Sequence, residues 1–486
     1  MQQIDVVIVG AGFGGLCAAI RLRESGVQSL LILERSHEVG GTWRDNVYPG
    51  CACDVPSHMY SLSFAPNTLW TRPYPQQQEI QDYVLRVTEH YALRPLIRFN
   101  SDVQAMRWLP EREVWQIESQ GMPPLLARHV ILATGPLNKP VIPDIPGVKT
   151  FGGESFHSGH WRHDVDLKGK RIAVVGTGAS AIQFVPEIAP LAAQVDVFQR
   201  TAAWVVPRFD NPYGAVRRWA YRWVPGLQRL SRWRVYWFNE WIGMGFMGSK
   251  RMQRMLTRLA DHHLRRQVDD PATRRSLTPD FNPGCKRLLI SNTWFPTLQR
   301  SNVNLITQAV AAIAPTGVVG ADGTLYPCDV IVWGTGFKAT EFVAPMRIYG
   351  ESTENGVPEL GEAWRSHPAA TRLGITVAGF PNLFMLVGPN TGLGHNSIIF
   401  MIECQVNYIC QALKNLRKRG KHVLRLRQEM QQDDYALNQR RMKGTVWASG
   451  CKSWYQNADG QIDTLWPGYT WEYWLKTRRF QAGDYL

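Results

Sequence analysis

An α/β chain with two Rossmann-like dinucleotide-binding domains and an inserted helical subdomain is predicted by three observations. Glycine-rich turns recur at Gly10-Ala11-Gly12-Phe13-Gly14-Gly15 and Gly176-Thr177-Gly178-Ala179-Ser180-Ala181. Each follows a short apolar run and leads into a helical pattern, the strand-turn-helix order of a nucleotide-binding unit. Between Arg217 and Arg266 a basic, tryptophan-rich stretch breaks the alternation.

In the first unit, Ile4 to Val9 reads as a buried parallel strand and Leu16 to Leu22 as the helix. Gly10 permits the tight turn, Gly12 lets the backbone approach a pyrophosphate, and Gly15 allows helix to pack closely on strand. The helix N-terminus, beginning at Phe13, offers unpaired N–H groups to phosphates. A second strand, Ser29 to Leu33, ends at Glu34 and Arg35, where a carboxylate about 20 residues on can bind both hydroxyls of an adenosine ribose.

The second unit repeats this design with Arg171 to Val175 as its strand, but its next strand, Gln194 to Gln199, ends in Arg200-Thr201. An acid there would repel a 2′-phosphate, whereas arginine makes charge-assisted bonds to one. The second nucleotide is therefore expected to be NADP(H), not NAD(H).

Composition fits two or three domains with sizeable cores: 486 residues, 44% hydrophobic and 19% charged, which excludes a disordered chain. The eight cysteines show no metal spacing and no CxxC pair, so free thiols in a reducing cytoplasm, and no metal site, are expected. With the first strand beginning at Ile4, no signal peptide is expected, and with no run of about 18 apolar residues no bilayer-spanning helix is expected either.

The net charge of +14 is concentrated. Residues 217–266 hold twelve Lys/Arg against Glu240 and Asp261, together with Trp219, Trp223, Trp233, Trp237 and Trp241. One reading makes this an insert whose Trp and Met side chains cover a hydrophobic pocket while its arginines face water. The other is a surface for RNA or for weak peripheral contact with an anionic membrane; no nucleic acid is expected.

Proline-studded Asn138 to Gly147 reads as a crossover between domains. The expected boundaries are 1–138 with 338–486 for the first domain, 139–208 with 284–337 for the second, and 209–283 for the helical insert. Asn302 to Ile306 and Asp329 to Trp333 look like returning strands, and Phe380 to Pro389 a strand ending in a loop over the first nucleotide.

Between the turns stands Phe151-x-Gly153-xxx-His157-xxx-Trp161. It resembles the fingerprint of type I Baeyer–Villiger monooxygenases, departing at the tolerant last position, where Arg162 replaces the usual Pro or Asp. A second motif of that family is matched at Gly40-Gly41-Thr42-Trp43, Tyr48-Pro49-Gly50 and Asp54, and the resemblance continues through Ala133-Thr134-Gly135, Phe198 to Thr201, Lys286-Arg287 and Asp329 to Phe337. Only the insert and the last twenty residues match loosely. Related N- and S-oxygenating enzymes typically end the fingerprint in Tyr or Phe plus Lys, so Trp161 points to the Baeyer–Villiger branch.

The resemblance implies FAD on the first unit and NADPH on the second, with molecular oxygen and a small apolar ketone as the reactants. NADPH reduces the flavin, the reduced flavin captures O2, and a C4a-peroxide anion attacks the ketone to give an ester or lactone. Such an anion needs a neighbouring cation: an arginine at about 4 Å in an effective dielectric near 20 supplies about 4 kcal/mol, and it cannot lose its own proton. Arg287 matches the family's arginine and Asp54 would pair with it. By the same resemblance Thr42, Trp43, Val55, Tyr60, Val103 and Ile398 line the FAD. Thr177, Gly178, Ala179, Ser180, Ala181, Gln183, Lys286 and Trp454 join Arg200 and Thr201 around NADP. His157 is expected to act at a hinge coupling domain rotation to cofactor position.

Three alternatives stay open. A flavin monooxygenase acting on sulfur or nitrogen would share both cofactors. A disulfide reductase would need a redox pair, for which Cys51-x-Cys53 has the wrong spacing. A basic RNA- or membrane-binding protein would keep the fold without turnover.

Overall fold

In the computed structural model, which describes residues 2–354, 356–451, 453–457 and 459–486, strand Gln3–Val9 lies inside the larger of two major sheets. It pairs in parallel with Leu30–Leu33 on one side and Leu125–Leu132 on the other, Val9 facing Leu33 and Leu132. Its register aims the end of the strand, and hence the first glycine turn, at the crevice beyond the carboxyl ends of the strands. Leu383–Met385 also pairs in parallel with Leu125–Leu132, returning the end of the chain to this sheet.

Strand and helix cease to alternate after Ile97–Arg98. Val103–Leu109, Val114–Ser119 and Leu125–Leu132 form an antiparallel meander. Its first turn is made by Pro110–Arg112 and Glu113, the latter at φ 52, a local left-handed reversal with no sequence period to announce it. Arg347–Tyr349 joins the far edge.

The second sheet is parallel throughout, in the order Val303–Ile306, Gln194–Phe198, Arg171–Val175, Val330–Trp333 and Glu154–His157. Its middle strands are apolar and buried on both faces, as a sheet covered on two sides requires. A small antiparallel sheet, Val310–Ala314, Gly317–Gly320 and Leu325–Pro327, packs against it. Two linkers join the major sheets and pair with each other: Val141 N–H donates to Gly336 O and Lys338 N–H to Lys139 O.

Four helices, Ala215–Trp223, Leu227–Phe246, Lys250–Gln267 and Pro271–Leu277, make the basic stretch. Their orientation corrects the expectation that the tryptophans cover a pocket, while Arg218, Arg222, Arg229 and Arg234 do face water as expected. Trp219, Trp223, Trp233, Trp237 and Trp241 are 60, 62, 51, 53 and 45% exposed. Helix Leu227–Phe246 instead turns polar groups inward. Gln228 donates to Asn67 O, Ser231 Oγ meets His58 Nδ1 at 2.7 Å, and Arg232 donates to the carbonyls of His58 and Ser61 at 3.0 and 2.9 Å. The physical reason is the surface beneath it, which presents backbone carbonyls that need donors. Among the described residues no helix is long and apolar enough to cross a membrane.

Candidate active site

A single cavity of about 1120 Å³ runs between the two glycine turns. At its first end, a Cβ on Gly15 would lie 1.9 Å from Gly10 O, so only glycine lets helix Phe13–Glu24 sit this close to the strand. That helix begins at Gly12 with no side-chain cap, leaving its first amides directed to the cavity. Glu34 is 4% exposed, and its carboxylate already accepts from Ala11 N at 2.7 Å, Ser36 N at 3.0 Å and Arg44 Nη1 at 2.8 Å. Arg44, which the motifs do not single out, thus fixes the expected ribose carboxylate; it follows directly after Gly40-Gly41-Thr42-Trp43 on helix Thr42–Asp45. Arg35 is exposed and faces Asp45 at 3.6 Å.

Phe13, Trp43 and Tyr60 make an aromatic wall. Trp43 Nε1 donates to Tyr60 Oη at 2.9 Å, and Phe13 meets the Tyr60 ring edge-on at 5.5 Å. Thr42, Val55, Val103 and Ile398 line the same cavity, with Leu386, Val387 and Asn396 from the returning chain. Val387 holds φ 57, an unusual conformation for a β-branched residue, and its N–H is tied to Gln405 Oε1 at 2.9 Å.

At the other end, helix Ala181–Ile188 also starts without a side-chain cap after Thr177, Gly178, Ala179 and Ser180. Arg200, Thr201 and Lys286 line this part of the cavity. Burial and then the positive charge of Arg200 push the Lys286 ammonium below its ordinary range, so two cations repel each other across one wall. Gln183 is already engaged: its Oε1 accepts from Ala52 N at 3.1 Å and Tyr48 Oη at 3.2 Å, and its Nε2 donates to Ala52 O. It clasps the second domain to the loop that carries Asp54.

Between the ends, Arg287 donates to Asp54 Oδ2 from Nε at 2.7 Å and from Nη2 at 2.6 Å. The side chains are 32 and 26% exposed, open to the cavity. The Asp54 carboxylate raises the guanidinium pKa further despite burial, so the cation is permanent. Tyr455, 1% exposed, lies against the same guanidinium, whose charge partly offsets the upward push of burial on the phenol. Sequence reasoning missed Tyr455, although it adjoins Trp454, which is 46% exposed at the rim.

Comparison with known proteins identifies the family. The pyridine nucleotide-disulphide oxidoreductase profile matches residues 7–222. A Baeyer–Villiger monooxygenase of Streptomyces coelicolor is 43% identical over 487 residues, covering 100% of this chain and 92% of that protein. One of Pseudomonas aeruginosa is 42% identical over 486 residues, covering 100 and 91%. This chain belongs to the Baeyer–Villiger monooxygenase family. Family membership makes it a flavin-dependent oxidoreductase that consumes O2. Among solved structures, an oxidized steroid monooxygenase bound to NADP superposes with a TM-score of 0.86 at 30% identity, covering 98% of this chain and 97% of that one. OTEMO complexed with FAD and NADP gives 0.86 at 27%, with the same coverage.

The family's fingerprint does not line the cavity. A Cβ on Gly153 would lie 2.3 Å from Asp329 O, which accounts for glycine there, and Phe151 packs under the second sheet. Trp161 is 9% exposed and packs on Phe156 and Phe184 at 5.2 and 5.3 Å. Arg162, at the departing position, pairs with Glu154 and Asp164 on the surface. His157 is 2% exposed; its Nδ1 accepts from Gly159 N at 2.9 Å and its ring meets Phe337 edge-on at 5.4 Å. Phe337 belongs to a linker between the two major sheets, bridged to Pro140.

One cysteine expectation is corrected. Cys285 and Cys451 form a disulfide, while Cys17, Cys51, Cys53, Cys328, Cys404 and Cys410 are free. At a sequence separation of 166, no local spacing signals the pair; the fold brings the Lys286-Arg287 segment against the Trp454-Tyr455 segment. No cluster of potential metal ligands occurs among the described residues.

Proposed function

We propose that residues 1–138 and 338–486 bind FAD and residues 139–208 and 284–337 bind NADPH. The chain then inserts one atom of O2 beside the carbonyl of a small apolar ketone to give an ester or lactone. The other oxygen atom leaves as water with the two electrons of NADPH. The observation that carries this reading is the Arg287–Asp54 pair, a permanent cation held open to a cavity that joins both glycine turns.

The residues fit both groups. Two uncapped helix N-termini face the cavity, where amide donors and the helix dipole favour pyrophosphates. Arg200 and Lys286, two cations lining the same part of the cavity, suit a 2′-phosphate. When bound, the flavin supplies hydride acceptance and oxygen activation. Arg287 would hold an oxyanion unprotonated beside the ketone, and Asp54 would orient the guanidinium while leaving one of its faces open. Phe13, Trp43 and Tyr60 would exclude water from that space.

The test is product analysis under labelled O2 with NADPH and a panel of cyclic and long-chain ketones beside thioethers. Ester carrying one labelled oxygen is expected. NADPH oxidation that yields only hydrogen peroxide with every ketone, or sulfoxide alone, would refute the reading.

A further inference from the structure

We infer that the outward face of helices Ala215–Trp223 and Leu227–Phe246 docks on an anionic lipid bilayer. The inference stands apart from the reaction assigned above. Along the second helix, Leu230, Trp233, Trp237 and Trp241 recur at a spacing that places them on one face, and all are 45–59% exposed. Gln228, Ser231, Arg232 and Glu240 turn inward instead, each bonded to the protein body. This helix therefore buries hydrogen-bonded polar groups beside Tyr236 and Phe246 and leaves its tryptophans in solvent. Val216, Trp219 and Trp223 extend the apolar surface along the first helix at 80, 60 and 62% exposure. Contiguous apolar surface of this kind marks an interaction face.

Charge selects the occupant. Arg218, Arg222, Arg229 and Arg234 are exposed around the aromatics, and the Arg222 guanidinium lies 5.2 Å from the Trp223 ring. Glu240 is the one acid between residues 211 and 249, and it is 4% exposed. A second copy of this face would set arginine against arginine with no exposed carboxylate from either helix. RNA would pair with the arginines but leave Val216 and Leu230 without an apolar partner. An anionic bilayer takes both: tryptophan settles at the headgroup boundary, aliphatic groups enter the acyl region, and arginines meet lipid phosphates.

The experiment is co-sedimentation of the full-length holoenzyme with vesicles of equal phosphatidylglycerol and phosphatidylcholine, against pure phosphatidylcholine. Binding to the anionic vesicles that weakens with salt is expected. Trp233→Ser/Trp237→Ser should weaken it about tenfold or more. Arg222→Gln/Arg234→Gln should weaken it about thirtyfold, each arginine near such a surface contributing about fivefold. Both variants should keep the parent's flavin absorbance and NADPH oxidation, which shows that they fold. Failure of the parent to bind anionic vesicles overturns the inference. So does unchanged binding by the tryptophan variant, or a parent dimer in analytical ultracentrifugation that this variant dissolves.

Discussion

Arg287 reaches across 233 residues of sequence to place both Nε and Nη2 on a single oxygen of Asp54, Oδ2. This geometry fixes the guanidinium from one side, through Nε and Nη2, with Tyr455 against it as well. Replacing Arg287 with alanine should leave NADPH-driven flavin bleaching intact and cut ester yield about a thousandfold. That is the equivalent of the roughly 4 kcal/mol a cation supplies at about 4 Å. Asp54→Asn, which weakens one charge-assisted contact, should cost about ten- to a hundredfold. Gas chromatography of the products together with anaerobic reduction kinetics separates the two steps; parent-level ester from Arg287→Ala would end the assignment.

Arg200 and Lys286 repel each other across the cavity wall, a cost that a bound dianion would relieve. Arg200→Ala and Lys286→Ala should each raise KM for NADPH by about ten- to a hundredfold. KM for NADH, which lacks the 2′-phosphate, should stay the same. Equal losses with both coenzymes would mean that these side chains support the fold rather than the phosphate.

Both nucleotide units were legible in the sequence because glycine turns, apolar runs and terminal charges are local signals. Glu34, Arg200 and, of the turn residues, Gly10, Gly12, Phe13, Gly14 and Gly176 to Ser180 line the cavity, whereas Ala11, Gly15 and Ala181 do not. Arg44 was not legible: its role is to satisfy Glu34, and nothing in a single strand-turn-helix pattern demands that partner. The Cys285–Cys451 pairing and Tyr455 depend on contacts between distant segments, which carry no period. The insert misled for a different reason. Amphipathic spacing reveals which side chains share a helix face, but not which face the protein covers, and here hydrogen bonding drew the polar face inward.

His157 is pushed down to about 4 by burial, and His58 likewise to about 4, so both are neutral in the folded protein near pH 7. An unfolded chain takes up protons on them below about 6.5. Their contribution to stability is therefore full above about 6.5 and is lost as pH falls toward about 4. Urea midpoints should drop between pH 7 and pH 5, and His157→Gln should flatten that drop by on the order of 1 kcal/mol. An unchanged slope in His157→Gln would show that this ring is not held neutral.

The Cys285–Cys451 bond links positions 166 apart in sequence and ties the turn before Arg287 to the rim that carries Trp454 and Tyr455. Chain-entropy reasoning gives about 5 kcal/mol for a loop of this length, an upper figure because native-state effects reduce it. Cys285→Ser should lower Tm by several degrees and raise KM for NADPH, since the rim then loses its tether to Lys286 and Arg287. Cys451→Ser should do the same, and the double variant should be no worse than either, because all three remove one bond. Reductant should shift the parent's Tm to the variants' value and leave the variants unmoved. Single variants that differ from each other, or add in the double, would show that the two sulfurs act as separate packing groups and that the tether does not set the rim.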